Sequence, residues 1–175
     1  SGGLLRTYRA DDAELLVVAM GSVNGTIKDT IDEMRADGFR IGLVTLVSFR
    51  PFPTQMLREV LVGAKHVVVI EKSFAIGMGG QLANNVDLAL RNTAGAPQVH
   101  SVVAGLGGRP ITRSSLHKLF RRALVQPWEG AHFLDLNETI VAKELHHIRR
   151  VRRSGPTAEN ILRHLSEGAQ PQASE

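Results

Sequence analysis

The sequence predicts an α/β fold: a three-layer, open, mostly parallel sheet with helices on both faces, followed by a C-terminal helical extension. Three observations support this prediction. Short apolar runs alternate with segments of helical periodicity, and only short loops separate them. Strands that alternate with helices pair in parallel through right-handed crossovers, which places helices on both faces. The 175 residues are 43% hydrophobic and 22% charged, which is ordinary for a chain with one core.

The first two strand-helix units begin with apolar runs. Residues 14–20 (ELLVVAM) and 41–47 (IGLVTLV) are typical of strands buried on both faces. Ser22 is placed to cap the helix between them, and Gly38 is placed to end it. The second helix follows a turn with two prolines, which suit the entry to a helix. One face of the first helix contains Val23, Ile27, Ile31 and Met34, and the second helix carries the apolar residues Met56, Leu57, Val60 and Leu61.

The next two units repeat the pattern. Residues 66–70 (HVVVI) and 98–104 are the third and fourth predicted strands. The glycine-rich residues 77–80 lead into one helix, and Thr112 is placed to cap the other. Their core-facing positions are Leu82, Val86, Ala89, Leu90, Leu116, Leu119, Phe120, Ala123 and Leu124.

The chain divides into four parts on this interpretation. Residues 1–12 are a lead-in, residues 13–126 are the α/β domain, residues 127–167 are a basic helical extension, and residues 168–175 are a disordered tail. In the extension, Asn137 is placed to cap a helix to about residue 148. A break and a last short helix are expected from Ser154, Gly155 and Pro156 and from the apolar stripe of Ala158, Ile161, Leu162 and Leu165.

Charge is concentrated in that extension. Residues 143–163 contain six basic and two acidic residues, which accounts for the net charge of +4 of the whole chain. Such a run contacts solvent, an acidic partner or nucleic acid. Aromatic residues make up only 5% of the chain, and none lies within the run. Nucleic acid is therefore not expected as a partner, because stacking aromatics are missing.

Composition excludes several classes of protein. The sequence contains no cysteine, so disulfides, thiol catalysis and cysteine-ligated zinc or iron-sulfur centres cannot come from this chain. No apolar run reaches the roughly 18 residues of a membrane span, and residues 1–10 lack the apolar core of a secretory signal. A cytoplasmic protein that does not enter a membrane is expected.

Candidate binding residues follow the strands, because ligands of open parallel sheets bind beyond the carboxyl ends of the strands. At residues 21–25 (GSVNG), backbone N–H groups and the hydroxyl of Ser22 could attract an anion, although a plain capped turn explains the same residues. Gly79 and Gly80 belong to a GMGG sequence without the lysine of a phosphate loop, so close packing at a domain contact is preferred.

Two further loops are candidates for partner contact. In FRPFP at residues 49–53, Arg50 and Phe52 stand beside Pro51 and Pro53, which make a rigid docking surface, with local core packing of the phenylalanines as the alternative. Gly107, Gly108 and Arg109 form a flexible loop with one fixed cation, which could clamp an anion or pair with a carboxylate of a partner. No spacing in the sequence identifies catalytic, cofactor-binding or metal-ligating residues.

The order GSVNGTIKDTIDEMRADG, GLVTLVSFRPFP, VVVIEKSFAIGMGGQL, GLGGRPIT resembles the second core domain of the alpha subunit of pyruvate:ferredoxin oxidoreductases and related 2-oxoacid:ferredoxin oxidoreductases. The resemblance covers about residues 13–124, and FRPFP and GLGGR are its most specific parts. Pro110 stands where the family commonly has an acidic residue. The resemblance implies the three-layer fold of the C-terminal domain of transketolase, and the start of the chain directly before a sheet suggests a piece of a longer polypeptide.

The family resemblance also implies an activity. Such enzymes convert pyruvate or another 2-oxoacid to an acyl-coenzyme A, using thiamine diphosphate with Mg²⁺, and pass electrons through iron-sulfur clusters to ferredoxin or flavodoxin. This chain has neither a thiamine diphosphate motif of the GDG-to-NN type nor cysteine. We therefore expect no cofactor on this chain, and a role in assembly and docking against a thiamine-diphosphate-binding domain or subunit of an oligomeric enzyme.

Two alternatives remain open from the sequence. The first is a non-catalytic α/β module that binds an anionic ligand or an acidic partner through its strand ends. The second is the C-terminal domain of a transketolase or of the E1 beta subunit of a 2-oxoacid dehydrogenase. The FRPFP and GLGGR segments disfavour the second alternative.

Overall fold

A computed structural model describes residues 3–126 and 128–152 of the chain, with side chains to residue 148. The chain divides into two compact units, Ser1–Asp135 and Leu136–Glu175. The first unit contains the sheet and its covering helices, and the second contains one described helix. The candidate functional site lies in the first unit.

The described part of the first unit has one sheet of six strands: β1 (Leu5–Tyr8), β2 (Leu15–Ala19), β3 (Ile41–Leu46), β4 (His66–Glu71), β5 (Gln98–Val103) and β6 (Ala131–Phe133). Their order across the sheet is β1-β3-β2-β4-β5-β6. All neighbouring strands pair in parallel except β1, which runs antiparallel to β3 at one edge. The prediction of a mostly parallel sheet is therefore confirmed.

Helices cover both faces of this sheet, as the alternating pattern predicts. Helices α1 (Val23–Ala36) and α4 (Arg113–Val125) pack on one face, and α2 (Thr54–Leu61) and α3 (Gln81–Leu90) pack on the other. Every residue of β2 is buried, because this central strand is covered by helices on both sides. The three-layer α/β fold is thus confirmed.

Two strands were not expected. β1 lies within the predicted lead-in, where Leu5 and Tyr8 are half-buried and the two residues between them are exposed. β6 contains three residues, all half-buried. The backbone that follows β1 packs directly against Gly42. A side chain at this position would clash, because a Cβ on Gly42 would lie 2.5 Å from the backbone oxygen of Arg9. Short, partly exposed edge strands carry too little apolar pattern to be recognised from sequence.

Three of the predicted helix boundaries are confirmed and one is wrong. Gly38 has a φ of 89°, which favours glycine at a helix end. The Thr112 side chain accepts a 3.1 Å hydrogen bond from the N–H of Ser115 at the start of α4. Asn137 Oδ1 accepts one from the N–H of Ile140. Ser22 does not cap α1, because its own backbone is already helical and its side chain makes no capping bond.

The second unit contains α5 (Glu138–Arg152), which begins after Asn137 as the sequence predicts. Four large apolar side chains of this helix are exposed: Ile140, Val141, Leu145 and Ile148. The predicted break at residues 154–156, the last short helix and the disordered tail lie outside the described residues. No helix in the described ranges is long and apolar enough to cross a bilayer.

Candidate functional site

A pocket of about 400 Å³ opens at the carboxyl end of the sheet, between β2 and β4. The chain leaves β2 for β3 on one side and later returns past β2 to β4 on the other. Helix α1 makes the first connection over one face of the sheet, and α2 makes the second over the opposite face. Ligands of open α/β sheets bind where connections diverge in this way. We call this cavity the switch-point pocket.

The switch-point pocket has an apolar interior and polar groups around it. Ile70 is 2% exposed and Leu82 is 4% exposed, so these two side chains belong to the core beneath the opening. Further apolar lining comes from Met20, Val23, Phe49 and Ile111. The polar residues that line the pocket are Ser22, Glu71, Lys72, Ser73 and Gln81.

The carboxylate of Glu71 is directed to the start of α3. Its oxygens accept hydrogen bonds of 2.9 Å from the backbone N–H groups of Leu82 and Ala83. The negative carboxylate thereby satisfies helix N–H groups that otherwise lack partners and complements the positive end of the helix dipole. Gly80 makes this arrangement possible, since a Cβ there would overlap the Glu71 carboxylate. Glu71 and Gly80 therefore act together inside this chain.

Four exposed polar side chains at the pocket remain without partners: Ser22, Lys72, Ser73 and Gln81. Among the described residues, none of these side chains makes a hydrogen bond or an ion pair. A Cβ on Gly105 would lie 3.0 Å from Cε of Lys72, so the stem of Lys72 runs against this glycine. The first turn of α1 contains no acidic residue. No acidic side chain of the described residues therefore pairs with the ammonium group of Lys72, and none lies in the first turn of α1.

The loop between β4 and α3, residues 72–80, projects from the same edge, and we call it the Ile76 loop. Ala75 and Gly79 bridge its two arms through backbone hydrogen bonds of 2.9 and 2.8 Å. Ile76 is 97% exposed and Met78 is 69% exposed at its tip. At its base, the ring of Phe74 packs edge-to-face against the ring of Phe133 in β6, with 5.0 Å between the ring centroids. The loop is thus braced while its tip exposes apolar surface.

The FRPFP segment combines core packing with an exposed cation. The rings of Phe49 and Phe52 meet edge-to-face at a centroid distance of 6.0 Å, and both are half-buried. The guanidinium of Arg50 lies 4.2 Å from the centroid of the Phe49 ring and donates a 2.8 Å hydrogen bond to the Phe49 carbonyl. Nη1 of Arg50 also reaches Oδ1 of Asn85 at 3.5 Å. The phenylalanines therefore anchor the segment, and Arg50 remains exposed above them.

The GLGGR loop follows β5 and forms a short 3-10 turn, Leu106–Gly108. Gly107 and Gly108 have φ values of 64° and 76°, which residues with a side chain rarely adopt. Arg109 is exposed, and its Nη1 donates to the backbone carbonyl of Asp135. The guanidinium is therefore oriented by a contact within the chain, while its other donors remain available.

The candidate residues occupy one edge of the sheet but not one cavity. Ser22 lines the switch-point pocket, whereas Arg50, Phe52 and Arg109 do not. Gly79 and Gly80 shape the neighbouring loop and helix start. All of them follow carboxyl ends of parallel strands, which is what sequence reasoning used to select them.

Sequence reasoning did not single out Ser73 or Ile76, and it considered Lys72 only as a possible acid or base. Lys72 and Ser73 follow β4 directly, and their importance depends on the pocket, which no linear pattern reveals. Ile76 was detectable in principle, because an isolated large apolar residue in a glycine-rich loop has little local core to enter.

Among the described residues of the first unit, His100 is the fully buried titratable group, and it lies in the middle of β5, away from the carboxyl edge. Its side chain is fully buried, and its ring packs between His66 and Trp128 at centroid distances of 5.7 and 4.5 Å. Burial, and then the neighbouring His66, lower the pKa of His100 below its ordinary value. Within the described ranges, no three His, Asp or Glu side chains are arranged to hold a metal ion.

Comparison with known families decides between the alternatives. Residues 13–116 match the model of the family "Pyruvate:ferredoxin oxidoreductase core domain II". The chain belongs to this family. The matched range covers β2 to the first turn of α4, so domain II contains the switch-point pocket and each loop described above.

Curated relatives support the assignment to domain II. Pyruvate synthase subunit PorA of Thermotoga maritima is 42% identical over 117 residues, which are 67% of this chain and 30% of that protein. PorA of Methanosarcina barkeri is 37% identical over 80% of this chain and 36% of its own length. Ketoisovalerate oxidoreductase subunit VorA of Pyrococcus furiosus is 34% identical over 62% of this chain and 28% of its own length. The chain thus spans about a third of the length of these relatives.

Two solved structures share the fold of domain II. The 2-oxoglutarate:ferredoxin oxidoreductase of Magnetococcus marinus aligns with a TM-score of 0.52 at 16% identity, over 69% of this chain and 19% of that one. A split-gene transketolase aligns with a TM-score of 0.53 at 20% identity, over 68% of this chain and 41% of that one. The predicted transketolase-like α/β architecture is therefore confirmed.

Proposed function

We propose that this chain serves as domain II of a 2-oxoacid:ferredoxin oxidoreductase that converts pyruvate or another 2-oxoacid to an acyl-coenzyme A. The observation that carries the proposal is the family match over residues 13–116. The 42% identity to a protein named as a pyruvate synthase subunit supports the reaction class. The same match argues against a transketolase or E1 beta domain as the origin of the chain.

Within that enzyme, domain II supplies assembly and docking. Iron-sulfur clusters need thiolate ligands, and the chain has no cysteine. The clusters therefore do not fit this chain. We assign them, together with thiamine diphosphate, its Mg²⁺ and coenzyme A, to partner domains or subunits, since the sequence also has no thiamine diphosphate motif of the GDG-to-NN type.

The docking surface consists of the Ile76 loop, the FRPFP segment and the GLGGR loop. Ile76, Met78 and Leu106 expose large apolar side chains at this edge. Arg50 and Arg109 place guanidinium groups beside them. Interfaces between domains combine such apolar anchors with polar surroundings. We expect the thiamine-diphosphate-binding domain or subunit to meet this edge with apolar pockets and carboxylates, in a cytoplasmic oligomer that passes electrons to ferredoxin or flavodoxin through another subunit.

Arg109 gives the docking proposal a residue-level consequence. A guanidinium holds a carboxylate through two parallel hydrogen bonds, which a lysine cannot reproduce. We expect Arg109→Lys and Arg109→Ala to weaken assembly with the thiamine-binding partner by about tenfold or more. If both variants assemble with unchanged affinity and activity, Arg109 is an ordinary exposed residue of a glycine turn.

A dye-reduction assay tests the division of labour. The chain alone is mixed with pyruvate or 2-oxoglutarate, thiamine diphosphate, Mg²⁺, coenzyme A and a viologen dye, and no reduction is expected. Adding the thiamine-diphosphate-binding and cluster-containing subunits of the same enzyme should restore coenzyme-A-dependent reduction. Dye reduction by the chain alone, or full activity of the other subunits without it, would contradict the proposed role.

A further inference from the structure

We propose that the switch-point pocket binds a small organic anion, consisting of a negatively charged head group on a short apolar body. The proposal does not rest on the docking function, because the pocket is built entirely from residues of this chain. Its volume of about 400 Å³ lies within the range of small-molecule sites, about 300–1,000 Å³.

The pocket interior selects an apolar body. Ile70 and Leu82 form part of its buried lining, with Ile111 and Phe49 as further apolar walls. Contributions come from the ends of β2, β4 and β5, from Phe49 of the FRPFP segment and from the start of α3, so the lining does not depend on one loop. Each CH₂ group of a ligand that leaves water for this lining should tighten binding about fourfold.

The charges at the pocket select a negative head group. Of the two charged residues in the lining, Glu71 already accepts two hydrogen bonds from N–H groups of α3. Lys72 has no partner among the described residues and is free to pair with a ligand. Ser22, Ser73 and Gln81 add neutral hydrogen-bonding groups.

The start of α1 adds to the same preference. Val23, its first residue, lines the pocket, and no acidic side chain occupies the first turn. The positive end of the helix dipole therefore faces no acidic residue of that turn. A cation would meet Lys72 and this helix end without compensation. A polyphosphate would have one lysine and no phosphate loop to bind it.

Binding of six-carbon probes to the full 175-residue chain tests the proposal. Hexanoate, hexan-1-ol and hexylammonium are compared by titration, following the backbone amide signals in ¹⁵N NMR spectra. We expect saturable binding of hexanoate, with shifts concentrated at residues 20–23, 70–73 and 81–82. Hexan-1-ol should bind more weakly, and hexylammonium should not bind at this site.

Two variants and one control identify the head-group contact. Lys72→Gln should weaken hexanoate binding by about two- to fivefold, which lies within the range expected of an exposed ion pair. Ser73→Trp fills the mouth of the pocket and should abolish saturation. Lys118→Gln, an exposed lysine of α4 outside the pocket lining, should bind hexanoate as the unaltered chain does.

Three results would overturn the proposal. These are the absence of saturable shifts with hexanoate, equal affinity for all three probes, and an unchanged affinity of Lys72→Gln. Each of them would leave the pocket as an apolar recess without preference for an anion. None of them bears on the dye-reduction assay, so failure of this proposal and failure of the docking function are distinguishable.

Discussion

At the scale of single residues, Gly80 shows how the edge of the sheet depends on the absence of a side chain. Gly80→Ala would displace the Glu71 carboxylate from the N–H groups of α3. We expect the free energy of unfolding to fall by about 1–2 kcal/mol, the value of a charge-assisted hydrogen bond at a helix end.

Gly25→Ala is the matched control for Gly80→Ala. Nothing lies within 4 Å of a Cβ at Gly25, which is inside α1. Alanine favours a helix over glycine by up to about 1 kcal/mol, so this variant should be neutral or slightly more stable. Urea unfolding of both variants makes the comparison, and equal losses of stability would show that the Glu71 contact contributes nothing.

His100 predicts how stability depends on pH. Its pKa is lowered from 6.5 in the folded chain, first by burial and then by His66. His100 therefore binds a proton more readily in the unfolded chain than in the folded chain. The contribution of neutral His100 to the free energy of unfolding is fully present above about pH 6.5 and is lost as the pH falls below that value. In urea unfolding between pH 7.5 and 5.5, His100→Gln should lose less stability than the unaltered chain. An identical loss in both would assign the pH dependence to other groups.

At the scale of secondary-structure elements, two helix starts form a matched pair. Thr112 caps α4 through a side-chain hydrogen bond, whereas Ser22 makes none at α1. Thr112→Ala should lower the free energy of unfolding by about 1 kcal/mol. Ser22→Ala should change it by less than about 0.5 kcal/mol. Thermal or urea unfolding decides, and a larger loss for Ser22→Ala would contradict the structure at α1.

The same elements show how far the sequence specifies the fold. β2 to β5 and α1 to α4 are predictable because most of their apolar residues repeat with the period of the element and are buried. Met56 of α2 is an exception, since its side chain is 42% exposed. β1 and β6 are not, because they are short and half-exposed, and their pairing depends on neighbours distant in the sequence. The prediction that Ser22 caps α1 was wrong, because the preference of serine for capping positions does not determine the backbone conformation at the end of the turn before the helix.

The candidate site was predictable in position but not in detail. Loops after parallel strands meet at one edge whatever their sequence, so the rule for strand ends located Ser22, Arg50 and Arg109 correctly at that edge. The roles of Lys72 and Gly80 depend on atoms from several loops that come together only in the folded chain. Those roles therefore required the structure.

At the scale of the whole molecule, different side chains are exposed at the carboxyl edge of the sheet, where the parallel strands end, and at the opposite edge, where they begin. The carboxyl edge exposes the apolar tip of the Ile76 loop beside cationic side chains. Val125, at the end of α4, is 83% exposed but lies toward the opposite edge, because α4 runs back from the carboxyl end of β5. An interface on the carboxyl edge would cover Ile76 and leave Val125 in solvent. A charged substitution at Ile76 should therefore weaken docking, whereas the same substitution at Val125 tests only the effect of removing an exposed apolar side chain.

The most direct test measures the affinity of the full chain for the thiamine-diphosphate-binding domain or subunit of the same enzyme by isothermal titration calorimetry. Burying an aspartate in place of an apolar anchor is costly, so Ile76→Asp should weaken binding by about tenfold or more. Val125→Asp should bind as the unaltered chain does. Undiminished binding of Ile76→Asp, or equal weakening by both substitutions, would contradict a docking surface at the carboxyl edge of domain II.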